Sequence, residues 1–435
     1  MSKWFFSGVV FLFFIQSSLC YGSISSSHFD SSKKLRVDFV LAGNDQVQSG
    51  FIVRMSQYNL TEYGAEQLIS PFDFGEYRVF LFHPQSGDTL YKKGFSTLFE
   101  EWRTIEEATA KTRAFEQTLI LPFPKHKVDL EVEVRTREGN FVPLFKESID
   151  SINLAITHQN KSGFETKIIF GKDNPSKKVD LLFVAEGYTI SEENKFFKDV
   201  KRLSNKVFER EPYASRREDF TIRAVAAVSE ESGTDDPIAE EWRNTILNSS
   251  FNTFGVDRYL ETESLWNIHD VVSGIPHDHI IVLVNSKKYG GGGIYNHFSI
   301  VTSDNPHSAT VLIHELGHGL AGLGDEYFGV DVTYSDYINL KTEPWQPNLT
   351  TLIDFDRKWK SLVSENTPIP TPIRPAYEKA IGVFEGGGYT SKGVYRPAIH
   401  CRMRTNEADG FCEVCQQTIN KVIDFYTQPS IHNNQ

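Results

Sequence analysis

The chain has 435 residues, of which 40% are hydrophobic and 13% aromatic, so it can bury large cores and is expected to form two domains. Its formal net charge is −12 at pH 7, and no stretch gathers Lys and Arg into a basic stripe. Because contacts with phosphate groups require such clusters, these features exclude nucleic acid as a partner and indicate an acidic surface.

Residues 1–22 have the pattern of an export signal. Lys3 gives a positive start, Trp4 to Ile15 form an apolar core, and mostly small or polar residues follow. This apolar run is too short to span a membrane, and no second such run follows it. We therefore expect cleavage after Cys20 or Gly22 and a mature protein that is extracellular, periplasmic or associated with the outer envelope. A lipid anchor at Cys20 is the alternative, although the preceding leucine is bulkier than lipidation sites usually tolerate.

Residues 34–150 are predicted to form an N-terminal β-sandwich domain. Apolar and polar residues alternate from Val128 to Val134, as a half-buried strand requires. A helical piece from Leu98 to Ala108 interrupts the series of strands. Similar strand patterns begin at Leu35, Tyr77 and Thr89. Several short strands separated by turn signals are typical of a sandwich.

After a polar connector, residues 164–428 are predicted to form an α/β catalytic domain. The nearly continuous apolar run from Val179 to Val184 is typical of a strand that is buried on both faces. A capping box of Thr189 and Glu192 begins the next helix, and a second helical segment is predicted near Glu240 to Ser249. Further strands are predicted at Phe220 to Val228, Ile280 to Val284 and Phe298 to Thr302. Strands that alternate with helices in this way favour an α/β arrangement.

Four glycines, Gly290 to Gly293, precede the last of these strands. One interpretation is an edge strand that lines a cleft and pairs with an extended peptide substrate. The other is a surface loop, and the glycine run does not decide between them.

The stretch from Ile313 to Tyr327 contains the pattern His-Glu-x-x-His. On an α-helix, His314 and His318 lie one turn apart on the same face, about 6 Å along the axis, so both imidazoles can bind one metal ion. Glu315 lies beside them and can reach a water on the metal, which is the arrangement of zinc peptidases. Zinc would lower the pKa of that water towards about 7, and Glu315 would act as the general base. A buried helix with two merely hydrogen-bonded histidines is the alternative.

A catalytic zinc site needs a third protein ligand. Three glycines between residues 319 and 324 end the helix and turn the chain back. We therefore predict Asp325, seven residues after His318, as the third ligand. Glu326 stays open as an alternative, and a glutamate on a later helix is a weaker one.

Stabilisation of the transition state needs a further donor to the developing oxyanion. Tyr327, Tyr389 and Tyr395 are candidates for this role or for contacts with substrate, and their spacing does not choose among them. The alternative for each is a packed aromatic ring whose hydroxyl is already hydrogen-bonded.

Three cysteines remain after the signal, Cys401, Cys412 and Cys415. In an exported chain we expect one disulfide among them and one leftover thiol. A Cys-x-x-Cys pair with a single further cysteine is a weak sign of a second zinc. The last helix is predicted from Cys412 to Phe425.

The segment Cys401-Arg402-Met403-Arg404 resembles the methionine turn of metzincin zinc peptidases, in which a thioether packs beneath the histidine ligands; Met403 matches that methionine. More fully, the chain resembles the IgA-peptidase family of bacterial zinc metallopeptidases over residues 34–425. The resemblance rests on the His-Glu-x-x-His pattern followed by Asp325-Glu326-Tyr327, and on several further motifs. These are Val179-Asp180 with Gly187-Tyr188-Thr189, Phe384-Glu385-Gly386 with Tyr395-Arg396-Pro397, and Phe411-Cys412-x-Val414-Cys415.

This resemblance implies an N-terminal β domain followed by a metzincin-like endopeptidase domain. It also implies that His314, His318 and Asp325 bind one catalytic Zn²⁺ and that Glu315 is the catalyst. In the commoner metzincin pattern the third ligand is a histidine six residues after the second, and that position is Gly324 here. The third ligand is thus the point at which the chain departs from that pattern.

Together these features predict a secreted or envelope-associated zinc endopeptidase that hydrolyses protein or peptide substrates. Two alternatives come from other classes. One is a non-catalytic protein that binds glycan or protein and keeps a relic of a zinc fold, which the intact Glu315 disfavours. The other is a zinc hydrolase of small esters or amides.

Overall fold

The computed structural model describes residues 28–60, 68–152, 155–175, 177–329 and 337–428. The predicted export signal, residues 1–22, and Cys20 within it lie outside these residues. Among the described ranges, no helix combines the length and the apolar character that crossing a bilayer would require.

The N-terminal region is rich in β-structure. It contains two four-stranded sheets, with strand orders β5-β1-β2-β8 and β4-β3-β6-β7. The strands are β1 (Phe29–Gly43), β2 (Gln48–Asn59), β3 (Tyr77–Phe82), β4 (Thr89–Phe95), β5 (Arg113–Pro124), β6 (Val128–Arg135), β7 (Phe141–Ile149) and β8 (Ile156–His158). In β6, burial alternates residue by residue as the sequence predicts, with Val128 and Leu130 facing inward.

Both sheets contribute to one hydrophobic core, which also holds Phe99 and Trp102. These two rings come from the helical piece between β4 and β5, which is predicted as one segment from Leu98 to Ala108 and is interrupted in the structure. It consists of two short helices, α1 (Leu98–Trp102) and α2 (Glu107–Ala110). Thr97 caps α1 by accepting a hydrogen bond from the Glu100 amide through its hydroxyl.

The second region is built on one six-stranded sheet with the order β13-β14-β12-β10-β11-β9. The four central strands are parallel, and the outer strands β9 and β13 run antiparallel to their neighbours. The strands are β9 (Thr166–Phe170), β10 (Val179–Glu186), β11 (Phe220–Val225), β12 (His279–Val284), β13 (Gly291–Ile294) and β14 (Phe298–Thr302).

Both faces of this sheet are covered. Along β10, Leu181 and Phe183 belong to one hydrophobic core, and Leu182 and Val184 belong to the other. The first core is completed by helices α3 (Glu193–Val207), α5 (Ser308–Ala321) and α6 (Glu413–Thr427), and the second by α4 (Leu265–Val271) together with the N-terminal sheets. The continuous apolar run in β10 therefore reflects burial on both sides, as the sequence predicts.

The helix predicted near Glu240 to Ser249 is not formed. The buried carboxylate of Glu186, at the end of β10, accepts hydrogen bonds from the backbone amides of Leu247 and Ser249 and from the Thr245 hydroxyl. These amides cannot also donate along a helix, and Asn248 has a positive φ of 51°. The segment is irregular because its backbone amides donate to the Glu186 carboxylate and not to carbonyl groups along a helix.

The glycine run forms β13, at the edge of the sheet, and not a loop. Beyond α5, the residues described from 337 onward include short 3₁₀ turns. A hairpin then follows, made of β15 (Phe384–Gly387) and β16 (Thr390–Arg396), and it leads to the loop that holds Met403.

Candidate metal centre

Helix α5 presents the His-Glu-x-x-His pattern. Its apolar residues, among them Leu312 and Leu316, pack into the core, which fixes the rotation of the helix about its axis. Gly322 ends the helix in the left-handed conformation, with φ 64°, and its amide donates to the His318 carbonyl. The chain therefore turns back towards the face that carries the histidines.

Three atoms converge at this turn. His314 Nε2 and His318 Nε2 are 3.0 Å apart. Asp325 Oδ1 lies 3.1 Å from the first and 3.2 Å from the second. Glu315 belongs to the same group, since one of its carboxylate oxygens and one nitrogen of each histidine lie within 4.8 Å of one another.

The other ring nitrogens are held by backbone carbonyls. His314 Nδ1 is 3.0 Å from the Arg402 carbonyl oxygen, and His318 Nδ1 is 2.6 Å from that of Leu323. A carbonyl only accepts, so each Nδ1 carries a proton and donates it. In the neutral rings, both Nε2 atoms then present lone pairs to the same point, which is how metal-binding histidines are oriented.

These residues fit a zinc ion. Asp325 Oδ1 is buried and has no hydrogen-bond donor among the described residues, although two nitrogen lone pairs face it. Lone pairs at this separation repel one another unless a cation lies between them. In a tetrahedral zinc site with bonds of about 2.0 Å, ligand atoms are about 3.3 Å apart, close to the spacing seen here.

The electrostatics of the site point the same way. Burial lowers the pKa of His318, but the charge of Asp325 outweighs it and raises the pKa to about 9. Burial opposes ionisation of Asp325, and the two imidazoles nevertheless hold its pKa well below the usual range. Burial also raises the pKa of the Glu315 carboxyl. The site thus attracts positive charge, whether this is a proton or a metal ion.

The structure separates the two candidate acids. Asp325 Oδ2 accepts a hydrogen bond of 2.5 Å from the Tyr389 hydroxyl while Oδ1 faces the histidines. Glu326 points the other way and is bonded to the Asn348 side chain and the Cys415 thiol. The structure therefore brings Asp325 to the imidazoles and Glu326 to the cysteines.

The three predicted tyrosines divide similarly. Tyr327 and Tyr389 line the cleft above the histidines, with ring centroids 5.4 Å apart. Tyr395 lies on β16, exchanges backbone hydrogen bonds with Thr350 and packs against a separate apolar cluster around Trp359. The Tyr395 side chain is not among those that line the cleft, so this geometry gives no support to its predicted role in an oxyanion or substrate contact.

Met403 is fully buried beneath α5. A Cβ atom on Gly317 would lie 2.6 Å from the Met403 sulfur, so the thioether occupies the space that this glycine leaves open, one residue before His318. Met403 therefore packs against the helix that carries both histidines, and its role as their support stays a prediction.

The cleft of about 310 Å³ opens beside these residues and is lined on one side by β13. Cβ atoms on Gly291 and Gly293 would come within 3.0 and 3.1 Å of the Glu315 carboxylate oxygens, and the one on Gly293 would lie 2.7 Å from the Glu315 carbonyl oxygen. Glycine at these positions therefore allows β13 to lie against α5.

Several residues of the cleft were not found by sequence reasoning. Glu101 belongs to α1 of the N-terminal region, and burial raises its pKa to about 7. Arg258 comes from an irregular segment and interacts with the Tyr327 hydroxyl. Neither lies in a motif or near the metal helix in the chain, so no local signal could have identified them.

Family sequence models match almost all of the described chain. The model described as IgA Peptidase M64 matches residues 169–377 and 373–423, and the Peptidase M64 N-terminus model matches residues 26–146. The chain belongs to the IgA peptidase M64 family. The family resemblance inferred from the motifs is thereby confirmed. A search of curated proteins finds no match.

M64 is a family of metallopeptidases, so this member is a metallopeptidase whose substrate is protein or peptide. The M64 match also accounts for the mixed α/β architecture with its N-terminal β-rich region. Within this M64 chain, the individual roles of His314, Glu315, His318 and Asp325 stay predictions, which the geometry described above supports.

Proposed function

We propose that the chain is an exported, zinc-dependent endopeptidase in which His314, His318 and Asp325 hold the metal and Glu315 is the general base. The observation that carries this proposal is the convergence of two imidazole nitrogens and one carboxylate oxygen to within 3.0–3.2 Å of one another. The oxygen is buried and receives no hydrogen bond from the described residues.

Bound zinc would supply a Lewis acid that polarises the scissile carbonyl and makes water nucleophilic at neutral pH. Glu315 is suited to take the proton from the attacking water and pass it to the leaving amine, because its carboxyl is buried beside the histidines. Burial raises the pKa of this carboxyl, which makes its carboxylate a stronger base for the proton of the attacking water.

Substrate would lie along β13. This strand pairs with β14 on one side and lines the cleft. At Gly291 its other edge is bridged by the segment of Tyr259 and Leu260, so an extended peptide could add beyond that point, beside Gly293. Its glycines bring that edge against Glu315, which would place the scissile bond next to the base. This is the first of the two interpretations of the glycine run, and the position of β13 at the sheet edge favours it.

For the developing oxyanion we propose Tyr327, together with Arg258. The Tyr389 hydroxyl is engaged by Asp325 Oδ2, so its role would be to orient that ligand. Tyr327 stacks near His314, with ring centroids 6.5 Å apart, and the Arg258 cation acts on its hydroxyl. A donor and a cation on the same side of the metal site are what an oxyanion requires.

We further propose that the N-terminal sheets form a β-sandwich domain over residues 34–150 and that residues 164–428 form a metzincin-like catalytic domain. Two four-stranded sheets that share one core support the first part, and Met403 beneath the metal helix supports the second. Export by residues 1–22 is proposed from the sequence, with lipid attachment at Cys20 as the alternative.

The proposal is tested with purified enzyme and an unfolded protein such as reduced, alkylated casein. We expect internal cleavage that stops on addition of a zinc chelator and returns with zinc. Glu315→Gln should bind zinc as well as the wild type does while losing activity by about 10²–10⁴-fold. Zinc binding without cleavage of any protein or peptide would instead support the binding-protein alternative, and cleavage of small esters or amides alone would support the small-substrate hydrolase.

A further inference from the structure

A second group of metal-binding side chains lies on the far side of the Asp325–Glu326 peptide. We call Glu326, Cys401, Cys412 and Cys415 the cysteine cluster. One donor atom of each of the four lies within 4.8 Å of the others. The sulfurs of Cys401 and Cys415 are 3.7 Å apart, and the Cys415 sulfur is 3.4 Å from Glu326 Oε1.

The expected disulfide is absent, and all three cysteines are free. A disulfide needs sulfurs about 2.05 Å apart, whereas tetrahedral zinc with Zn–S bonds of about 2.3 Å holds its sulfurs about 3.8 Å apart. The observed 3.7 Å matches the second spacing. A disulfide would also not explain why the third thiol and the Glu326 carboxyl are buried at the same point.

The carboxyl of Glu326 independently points to a ligand. The residue is fully buried, and Oε2 has no hydrogen-bond partner among the described residues. Its other oxygen, Oε1, accepts a hydrogen bond of 3.0 Å from Asn348 Nδ2, and Asn348 is itself fixed by both backbone groups of Gly324. An oriented but half-satisfied buried carboxyl is costly unless something else binds it.

Two features of the backbone stabilise negative charge on the sulfurs. Cys412 is the N-cap of α6 and Cys415 lies in its first turn, where the helix dipole stabilises negative charge. The Cys412 amide lies 3.3 Å from the Cys401 sulfur and donates to it. Arg396 is buried nearby, and its Nε and Nη2 have no partner among the described residues, so its charge can offset that of the cluster.

We propose that the cysteine cluster is a second, structural zinc site, closed to solvent and distinct from the metal centre on α5. Three sulfur donors and one carboxylate are a donor set that favours Zn²⁺ over hard cations. On binding, the ion displaces the protons of the thiols that are still protonated, and no oxidation or reduction takes place.

Such an ion would stabilise the base of the catalytic site. The ion would link three parts of the chain: the segment of Asp325 and Glu326, the loop that contains Cys401, and the start of α6. The Glu326 amide already donates to the Met403 carbonyl at 2.8 Å. The next residue of that loop towards the N-terminus, Arg402, accepts the hydrogen bond from His314 Nδ1.

The test is the zinc content of the full chain, purified without chelator or reductant and measured by elemental analysis. We expect two zinc ions per chain in the wild type and one in His314→Ala/His318→Ala, which keeps the cysteine cluster intact. The remaining ion should be released by a mercurial reagent that titrates thiols. Cobalt substituted into this double variant should give a sulfur-to-cobalt charge-transfer band.

Two further variants, Cys412→Ser and Glu326→Gln, test the same assignment by removing donors of the cysteine cluster and leaving the histidines in place. Each should lower the zinc content towards one and weaken the charge-transfer band, whereas Glu413→Gln, an exposed acid beside Cys412, should change neither. If these two variants fail to fold, the zinc content of the double histidine variant still tests the proposal.

A double histidine variant that holds no zinc and shows three reactive thiols would overturn the proposal. So would a mass two hydrogens lighter than the reduced chain, which would indicate a disulfide and restore the expectation from the sequence. Because all these readouts are metal content and thiol state, they are independent of whether the enzyme cleaves protein.

Discussion

Asp325 and Glu326 are neighbours in the chain, but their carboxylates serve two different groups of side chains. Asp325 joins two imidazoles that are 15% and 17% exposed at the wall of a cleft. Glu326 joins three cysteines, of which Cys401 and Cys415 are fully buried. Two centres of similar size therefore differ mainly in whether water and substrate can reach them.

Under the proposed function, this difference would separate catalysis from support. The site on α5 brings together three proposed donors, with Glu315 and the cleft beside them, which would leave one position for the reaction. The cysteine cluster offers four donors, three of them on buried residues and the fourth on the half-buried Cys412, so no position would be left for substrate. The comparison predicts that changes on one side of the Asp325–Glu326 peptide affect turnover and those on the other affect stability.

The largest effect is expected from Asp325→Asn. The amide keeps the size of the side chain but removes the charge that holds the metal against two imidazoles. We expect kcat/KM to fall by about 10³-fold, because loss of several kcal/mol of metal and transition-state interaction corresponds to that factor. Steady-state kinetics with saturating zinc measure this loss.

Glu326→Gln is the matched control. It should lower the melting temperature by several degrees, because the cysteine cluster loses a donor, while kcat/KM measured well below that temperature falls by less than about 10-fold. If Glu326→Gln reduced turnover as much as Asp325→Asn and left stability unchanged, the division of labour between the two acids would be wrong.

A smaller loss is expected from Tyr389→Phe. Its hydroxyl donates to Asp325 Oδ2 at 2.5 Å and orients the ligand. Removal of such a partner typically costs about 10–100-fold in metal affinity or activity. Competition with a chelating dye measures zinc affinity directly. Tyr395→Phe, outside the cleft, should remain within about 2-fold of the wild type; equal losses in both variants would show that Tyr389 acts only through general packing.

Gly317→Ala probes how the two centres are joined. The new methyl group would lie 2.6 Å from the Met403 sulfur, in the loop that also carries Cys401. Overpacking costs about 1–3 kcal/mol, partly offset by the better helix propensity of alanine, about 1 kcal/mol. Chemical denaturation should therefore show a net loss near 1 kcal/mol. Gly410→Ala, where a Cβ meets nothing within 4 Å, is the control, and Met403→Ala should relieve part of the loss.

The metal-binding motif was predictable because its geometry is local. His314 and His318 lie one helical turn apart, and the turn at Gly322 needs only a glycine that tolerates positive φ. The alternating strand β6 was predictable for the same reason, since its period is visible in the sequence. In each case a few consecutive residues contain all the information.

The rest depends on contacts between distant parts of the chain. The predicted helix near Glu240 was lost because Glu186, far away in sequence, accepts its amide hydrogens. The residues of β7 are mostly exposed and show no clear alternation of burial, so the sequence lacks the period-2 pattern by which a strand is recognised. Counting cysteines favours a disulfide, because the count does not reveal that Glu326 approaches the same point.

The smallest effect is expected in how the free energy of unfolding depends on pH. It tests the charge state of His279, which lies beside the Ser299 hydroxyl that is bonded to α5. His279 is 2% exposed, its Nε2 lies 2.9 Å from the Ser299 hydroxyl, and that hydroxyl donates to the Glu315 carbonyl. Burial, aided by the charges of Lys93 and His277, lowers the pKa of His279 to about 3. The unfolded chain, with a histidine pKa of about 6.5, therefore binds a proton at a pH where the folded chain does not.

Stability from this group is thus complete above pH 6.5 and is lost as the pH falls towards about 3. Between pH 7.5 and 5.5 the loss should be about 1 kcal/mol. His279→Gln keeps a polar partner for Ser299 but cannot titrate, so its free energy of unfolding should fall by about that much less over the same interval. Urea denaturation of both proteins at the two pH values, in chelator so that zinc binding does not contribute, measures the difference. Equal pH dependence in the two proteins would mean that folding does not lower the pKa of this histidine, which would contradict a neutral imidazole beside Ser299.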